Sequence, residues 1–537
     1  MANSLRVAFR VDASQAMGTG HMRRCLALSR AIKKCDAQTL FVSRHHDDIS
    51  APLMPIYERC QWLAPSPPPS LSGDTNQLPP HAAWGVVSWE EDAAQTIDVL
   101  IKTPLDWLVV DHYAWDARWH RRVAAALNVR LLVIDDLADR LIAADVLLDQ
   151  NLHQDHRKKY KNCFDPEGSC VRFLTSPRYA LLSEAYQHAP RYQFSKLVGS
   201  IGIFMGGTDP YDLSSKALVA CRELAAFTGE VTLISSLHNP RYEQHVLLAA
   251  RWPHTQVLHD LPDLSSFFSS RDLQIGTGGG AAWERCCIGA PTLAVVAALN
   301  QLAVLPQLAA LGAVQWVELT HTESSLKDFG KAIADVVARP ELRQQLSQES
   351  MRLVDGLGSD RVATVLTQSV SPSLTLRSAV PADEALLLGW FNDSQTRQNA
   401  FSQDLVSSQS HAQWFECRLT DKANCRLYIA YAANAMPLGM IRFDRDTLSE
   451  SRSDADVCWL SYSIDVSFRG LRLARELIGQ GLEMLVSDSG ETCLVKALVK
   501  AGNIASRKSF AGLSFTETFV EHLGQTVSSF EKSVRSI

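Results

Sequence analysis

At roughly 100–200 residues per domain, a chain of 537 residues holds about three or four domains, which excludes a single small binding module. Its composition, 46% hydrophobic, 20% charged and 8% aromatic, is that of a globular enzyme and excludes a disordered or collagen-like chain. With 52 Lys and Arg against 58 Asp and Glu, a formal charge of −6 and no long basic block, nothing general draws it to nucleic acid or to an anionic membrane.

The opening MANSLRVAFRVDAS lacks the charged, apolar and small-residue order of a secretion signal and reads as a strand entering a loop. The apolar stretch 290–317 is interrupted by Asn300, Gln301 and Gln307 and carries Pro291 and Pro306, so it falls short of the roughly 20 apolar residues a membrane span requires. The 12 cysteines are scattered, with no C-x-x-C pair, and read as reduced thiols of a cytoplasmic protein. No spacing suggests a metal site.

In chain order, the pattern begins with short apolar strands alternating with amphipathic helices: strand 6–11, helix 21–33, then strands 39–42, 107–110, 131–134 and 146–148. That alternation predicts a parallel sheet with helices on both faces, here assigned to a domain 1–193. A Pro-, Ser- and Gly-rich run at 64–83 reads as a surface loop. A second α/β domain, 194–355, is predicted from strands at 197–204, 231–235, 257–258, 273–275 and 292–296 and helices at 326–339 and 341–353. Glycines 356 and 358 and the serines near 371 mark a linker, 356–373. Beyond it, strands at 374–380, 427–432, 438–444, 457–464 and 493–499, with helices ending at 390 and starting at 471 and 504, predict an α+β domain, 374–537.

Chemistry gathers where strands end. Gly18-Thr19-Gly20-His21-Met22-Arg23-Arg24 follows the first strand and opens a helix, where backbone N–H groups, the helix dipole and an arginine suit a diphosphate. Asp111-His112-Tyr113, Asp135-Asp136 and Asp149-Gln150-Asn151 each follow a strand of the same sheet. In open parallel sheets ligands bind at that edge, although each cluster read alone also fits a helix cap. In the second domain Gly206-Gly207 ends one strand, and Gly276-Thr277-Gly278-Gly279-Gly280 joins another to a helix whose Glu284 could accept both hydroxyls of a ribose. Asn300 and Gln301 are amides in an apolar stretch and need partners, a ligand among the options.

The segments RVDASQAMGTGHMRRCLALS, VVDHYAWD, LLVIDDLADR, LLDQN, RYALL, FMGGTDP and GTGGGAAWERCCIGAPTLAVVAALNQ resemble the UDP-2,4-diacetamido-2,4,6-trideoxy-β-L-altropyranose hydrolases of pseudaminic acid biosynthesis, over residues 6–350. That family is similar to the GT-B glycosyltransferase of lipid II synthesis, with two Rossmann-like domains facing a cleft. The resemblance implies His21 as the general base that activates water and Tyr113 as a catalytic-site neighbour. It further implies Asp12, Gly18, Gly20, Arg24, Gly206, Gly207, Gly279, Glu284, Asn300 and Gln301 around the UDP-sugar, with inversion at the anomeric carbon and no metal.

Residues 374–530 resemble the GNAT acetyltransferases through Arg469-Gly470-Leu471-Arg472-Leu473-Ala474 and Asn503-Ile504-Ala505-Ser506. The resemblance implies acetyl-CoA held by Arg469, Gly470, Arg472, Ala474 and Asn503, and N-acetylation of the UDP-4-amino-sugar precursor. Three departures stand out: Arg472 replaces a glycine, Phe510 replaces a common tyrosine and Ser514 a common glycine. A glycosyltransferase, a hydrolase with a degenerate acetyltransferase module, and a non-catalytic nucleotide-sugar scaffold for other enzymes of nonulosonic acid synthesis remain competing readings.

Overall fold

The computed structural model describes residues 4–14, 17–46, 53–64, 78–164, 171–207, 209–237, 239–259, 261–319, 322–447, 456–489 and 492–535. Most of the Pro-rich run expected to be a loop lies outside them. The chain forms two compact units, Met1–Ala363 and Thr364–Ile537.

The first unit contains two parallel sheets. In one, β1 (Arg6–Val11), β2 (Gln38–Arg44), β3 (Cys60–Leu63), β4 (Trp107–Asp111), β5 (Arg130–Ile134), β6 (Val146–Asp149) and β7 (Arg172–Thr175) are ordered β3-β2-β1-β4-β5-β6-β7. In the other, β8 (Ser200–Phe204), β9 (Glu230–Ile234), β10 (Thr255–Leu258), β11 (Leu273–Thr277), β12 (Thr292–Val295) and β13 (Gln315–Val317) are ordered β10-β9-β8-β11-β12-β13. Runs such as Arg130–Ile134 are apolar with no alternation because helices cover both faces, and Leu132, Val133 and Ile134 are all buried. In each sheet the order reverses direction once, between β1 and β4 and between β8 and β11. Loops leaving those neighbouring strands turn to opposite faces and open a crevice at the carboxyl edge, where ligands bind in such sheets.

The stretch expected to be a linker instead carries a helix, Gly358–Val370. Val362, Ala363, Val365 and Leu366 on it are fully buried, so a helical apolar stripe outweighs the glycines and serines that flank it.

The second unit is a single mixed sheet. Strands β14 (Thr375–Ser378), β15 (Cys425–Tyr431), β16 (Pro437–Arg445), β17 (Asp456–Ile464), β18 (Cys493–Lys500), β19 (Thr516–His522) and β20 (Gln525–Val534) are ordered β14-β15-β16-β17-β18-β20-β19. Only β17 and β18 run parallel, and their register covers Asp456–Trp459 against Cys493–Lys496. The helices Leu473–Ser489 and Ile504–Ala511 follow β17 and β18. No described helix is long and apolar enough to cross a membrane, and no disulfide joins the described cysteines.

Candidate active site

The crevice between β1 and β4 assembles three of the sequence motifs. The helix Gly20–Lys33 leaves β1 through the Gly18 turn and carries His21 and Arg24 on one face, three residues apart. Asp111 closes β4 directly opposite. His21 Nδ1 lies 2.6 Å from Asp111 Oδ1, and Arg24 grips the same carboxylate through Nε at 2.6 Å and a terminal nitrogen at 2.5 Å. Burial opposes charge on Asp111, yet the Arg24 guanidinium and the His21 ring hold its carboxyl well below the usual range. An ionised carboxylate can only accept, so the Nδ1 of His21 carries the proton and the lone pair of the neutral ring sits on Nε2. Nε2 hydrogen-bonds to none of the described residues.

Tyr113 meets His21 edge to face at 4.8 Å between ring centres. Its hydroxyl donates to Asp136, whose other oxygen accepts from Asn151 Nδ2 at 3.0 Å. Burial and the neighbouring Asp136 push the phenol far up, which keeps it a proton-bearing donor. Lys159 binds the Asp136 carbonyl at 2.7 Å and Asp149 at 2.6 Å, while burial lifts the Asp149 carboxyl to about 6 despite that cation. Gln150 accepts the Leu181 N–H at 3.1 Å, so the DQN and RYALL segments are tied to each other.

The glycine turns face the same region. Gly18 and Gly206 take positive φ, and open space lies where a Cβ of Gly18, Gly20 or Gly206 would stand. A Cβ on Gly207 would lie 3.7 Å from Thr19 Oγ1, so the turn after β8 approaches the helix start after β1. Gly279 precedes the helix Gly280–Ile288, on which burial raises the Glu284 carboxyl while Tyr186 and the positive charge of Arg23 oppose that rise. Gln301 Oε1 accepts from Gly278 N at 3.2 Å and Ala297 N at 2.9 Å, locking the glycine run against the neighbouring loop. The side chain of Asn300 lies outside the described residues.

Two expectations are corrected here. Asp12 is not a substrate contact: its carboxylate is fully buried and accepts from Arg10 at 2.6 and 3.0 Å and from Arg44 N at 2.7 Å, with His46 and His112 each at 3.2 Å. Arg10 and Arg44 also bind Asp92, at 2.6 and 2.9 Å, so four charged groups neutralise one another beneath the crevice. Arg24 is likewise taken up by Asp111 rather than left for phosphate, whereas its neighbour Arg23 is exposed.

Sequence reasoning missed Asp111 as the partner of His21. The signal for Asp111 was present in its position at the end of a strand beside Tyr113. In the second sheet Asp209, Asp212 and His245 form a group that could hold a metal ion, which no sequence spacing reveals. Their atoms are already engaged: Asp209 accepts from Leu213 N and Ser214 N, each at 2.9 Å, and His245 bridges Asp212 and Ser235.

In the second unit, Arg469 turns inward. It binds Asp393 at 2.6 Å, Gln395 at 2.9 Å and the Ile464 carbonyl at 3.0 Å, a correction to its expected place on a cofactor. Asn503 caps the following helix by accepting from Ser506 N at 3.2 Å. Gly470 and Arg472 have φ of +79° and +64°, so the turn keeps the backbone form of a glycine loop with an exposed arginine in it. Ala474 is the second residue of the helix that follows.

No protein-family model matches the chain, and no curated protein does. Among solved structures, MurG of Acinetobacter baumannii is similar at 14% identity and a TM-score of 0.46, over 68% of this chain and 99% of that one. A ribosomal-protein-alanine N-acetyltransferase of Brucella melitensis is similar at 21% identity and a TM-score of 0.26, over 30% and 99%. The spermidine N-acetyltransferase of Vibrio cholerae in complex with CoA and spermine is similar at 16% identity and 0.26, over 30% and 95%. By its strand orders, the chain joins two parallel Rossmann-like sheets to a mixed α+β sheet.

Proposed function

We propose that the first unit hydrolyses a UDP-linked 2,4-diacetamido-2,4,6-trideoxy sugar to free sugar and UDP, as in pseudaminic acid synthesis. The observation that carries this reading is the His21–Asp111 pair, 2.6 Å apart at the point where the strand order reverses. Asp111 fixes the proton on Nδ1, and Nε2 then takes a proton from water as that water attacks the anomeric carbon. UDP is a good leaving group once its diphosphate rests on N–H donors of the turns at Gly18–Gly20 and Gly206–Gly207, so the reaction needs help chiefly on the water side. Attack from the side opposite UDP inverts the anomeric configuration. Tyr113, whose hydroxyl proton goes to Asp136, keeps oxygen lone pairs that accept from a sugar hydroxyl or an acetamido N–H, and Glu284 accepts from the ribose hydroxyls.

The second unit is proposed to N-acetylate the UDP-4-amino-sugar precursor with acetyl-CoA. The left-handed turn at Gly470–Arg472, directly before a 17-residue helix, supports anion binding, with the exposed Arg472 in place of the inward Arg469. Product analysis by NMR tests both halves: the UDP-4-amino-sugar with acetyl-CoA should yield N-acetylated free sugar of inverted configuration, UDP and CoA. Release of UDP only when an alcohol acceptor is added, with the sugar appearing as its glycoside, would instead support a glycosyltransferase, and an absence of CoA binding would leave the second unit as a scaffold.

A further inference from the structure

A short turn outside the recognised motifs walls the His21 site with aromatic rings. The single 3-10 turn Ala82–Gly85 follows His81, and its Trp84 lies 6.5 Å from His21 and 5.9 Å from Tyr113 between ring centres. His81 lies 4.6 Å from Trp84 and 5.9 Å from Tyr113, and its Nε2 is 3.7 Å from Asp139. The backbone beneath is held in an unusual form. Val86 sits at φ +64°, a left-handed conformation that β-branched residues rarely adopt, and a Cβ on Gly85 would stand 2.3 Å from the Trp115 ring. Strain of this kind persists only where the surroundings over-determine it, and it gathers at ligand sites. Trp84 is partly buried, and among the described residues its indole N–H donates to no acceptor.

We propose that Trp84, with His81 beside it, is the specificity-determining wall for the sugar, reading a deoxygenated, acetamido-bearing pyranose. The indole face covers the apolar side of the ring with its C6 methyl, and the indole N–H donates to an acetamido carbonyl. A sugar with a C6 hydroxymethyl group would place an extra hydroxyl against the apolar indole face, which offers it no acceptor, and this costs binding. The inference rests on the UDP-sugar reading above and adds which face of the site selects the sugar.

The test uses the full chain carrying His21→Ala, which halts turnover, alone and with Trp84→Leu or Trp84→Phe added, each checked by thermal melting. Calorimetry measures binding of UDP, of the UDP-linked 2,4-diacetamido-2,4,6-trideoxy sugar, and of a UDP-linked sugar with one acetamido group and a C6 hydroxymethyl. NMR follows the sugar methyl signals, which ring currents move upfield. Trp84→Leu should weaken the diacetamido ligand about tenfold, bring the two sugar nucleotides close to equal affinity, leave UDP affinity unchanged and abolish the methyl shifts. Trp84→Phe should keep the shifts while losing part of the affinity. Unchanged discrimination and unchanged shifts in Trp84→Leu, with normal UDP binding, overturn the wall alone. Failure of the chain with Trp84 intact to bind UDP or either sugar nucleotide overturns the UDP-sugar reading and the wall with it.

Discussion

The turn after β1 and the turn after β17 have the same plan, a strand delivering glycine and arginine to a helix start, and in each one arginine is drawn inward while another stays exposed. Arg24 clamps Asp111 and so sets the tautomer of His21, leaving Arg23 outside. Arg469 clamps Asp393 and the end of β17, leaving Arg472 outside. The difference lies in what the clamp holds: a carboxylate shared with a buried histidine in the first unit, and helix-start side chains with a strand-end carbonyl in the second. A motif therefore tells where the chain bends toward an anion more surely than it tells which cation meets it.

Substitutions at the first clamp should have the largest effect. His21→Ala should lower kcat by about 10²–10⁴ with little change in UDP affinity, the range for loss of a general base. Asp111→Asn should fall in the same range, because an amide no longer dictates the ring tautomer and leaves Arg24 unpaired. Steady-state kinetics and UDP calorimetry check both, and near-normal turnover in either would remove the pair from catalysis.

Next in size, Glu284→Ala should weaken UDP and UDP-sugar alike by about tenfold, near 1.4 kcal/mol, whereas unchanged UDP affinity would end the ribose assignment. The second clamp then separates from the first. Arg469→Ala should lower the unfolding stability of the second unit by about 1 kcal/mol, since the pair is partly exposed, and leave CoA affinity intact. Arg472→Ala should do the reverse, weakening CoA by a factor that shrinks with added salt. Arg472→Gly should also raise stability by about 1 kcal/mol through relief of the left-handed conformation, read from denaturant midpoints.

A separate comparison lies in the pH dependence of folding, where no ligand is involved. His120 is fully buried, and desolvation, with Arg140 adding to it, pulls its pKa down to about 3 from a usual 6.5. The unfolded chain thus binds a proton that the folded chain refuses, and stability should fall as pH drops below about 6.5, by at most about 1.4 kcal/mol per pH unit. Denaturant titrations at pH 7 and 5 should show this decline, and it should flatten in His120→Gln.

The sheets were legible because apolar runs ending in glycine or aspartate mark parallel strands, and the expected strands 6–11, 107–110 and 131–134 all formed. Their carboxyl edges did gather His21 and Tyr113. What sequence could not separate was one strand-end aspartate from another. Asp12 and Asp111 look alike in one dimension, yet the period of two along β1 places Arg10 on the same face as Asp12, and that neighbour claims the carboxylate. Trp84 was hidden for a different reason, since it follows a low-complexity run and two of its ring partners, His21 and Tyr113, are distant in the chain. The helix Gly358–Val370 was obscured because its flanking glycines and serines outweighed its apolar stripe. Strands β3, β7, β13, β19 and β20 were not singled out, and β13 spans only Gln315–Val317.

The charge lattice beneath the crevice also constrains how this sequence can drift. Arg10, Asp12, Arg44 and Asp92 are each at most 1% exposed, so replacing any one strands an opposite charge in the interior. A library of one-letter changes should find that floor immovable, while matched apolar quartets introduced together can cross the gap. Ancestry at these four positions is expected to move by joint exchange, as a single inherited block.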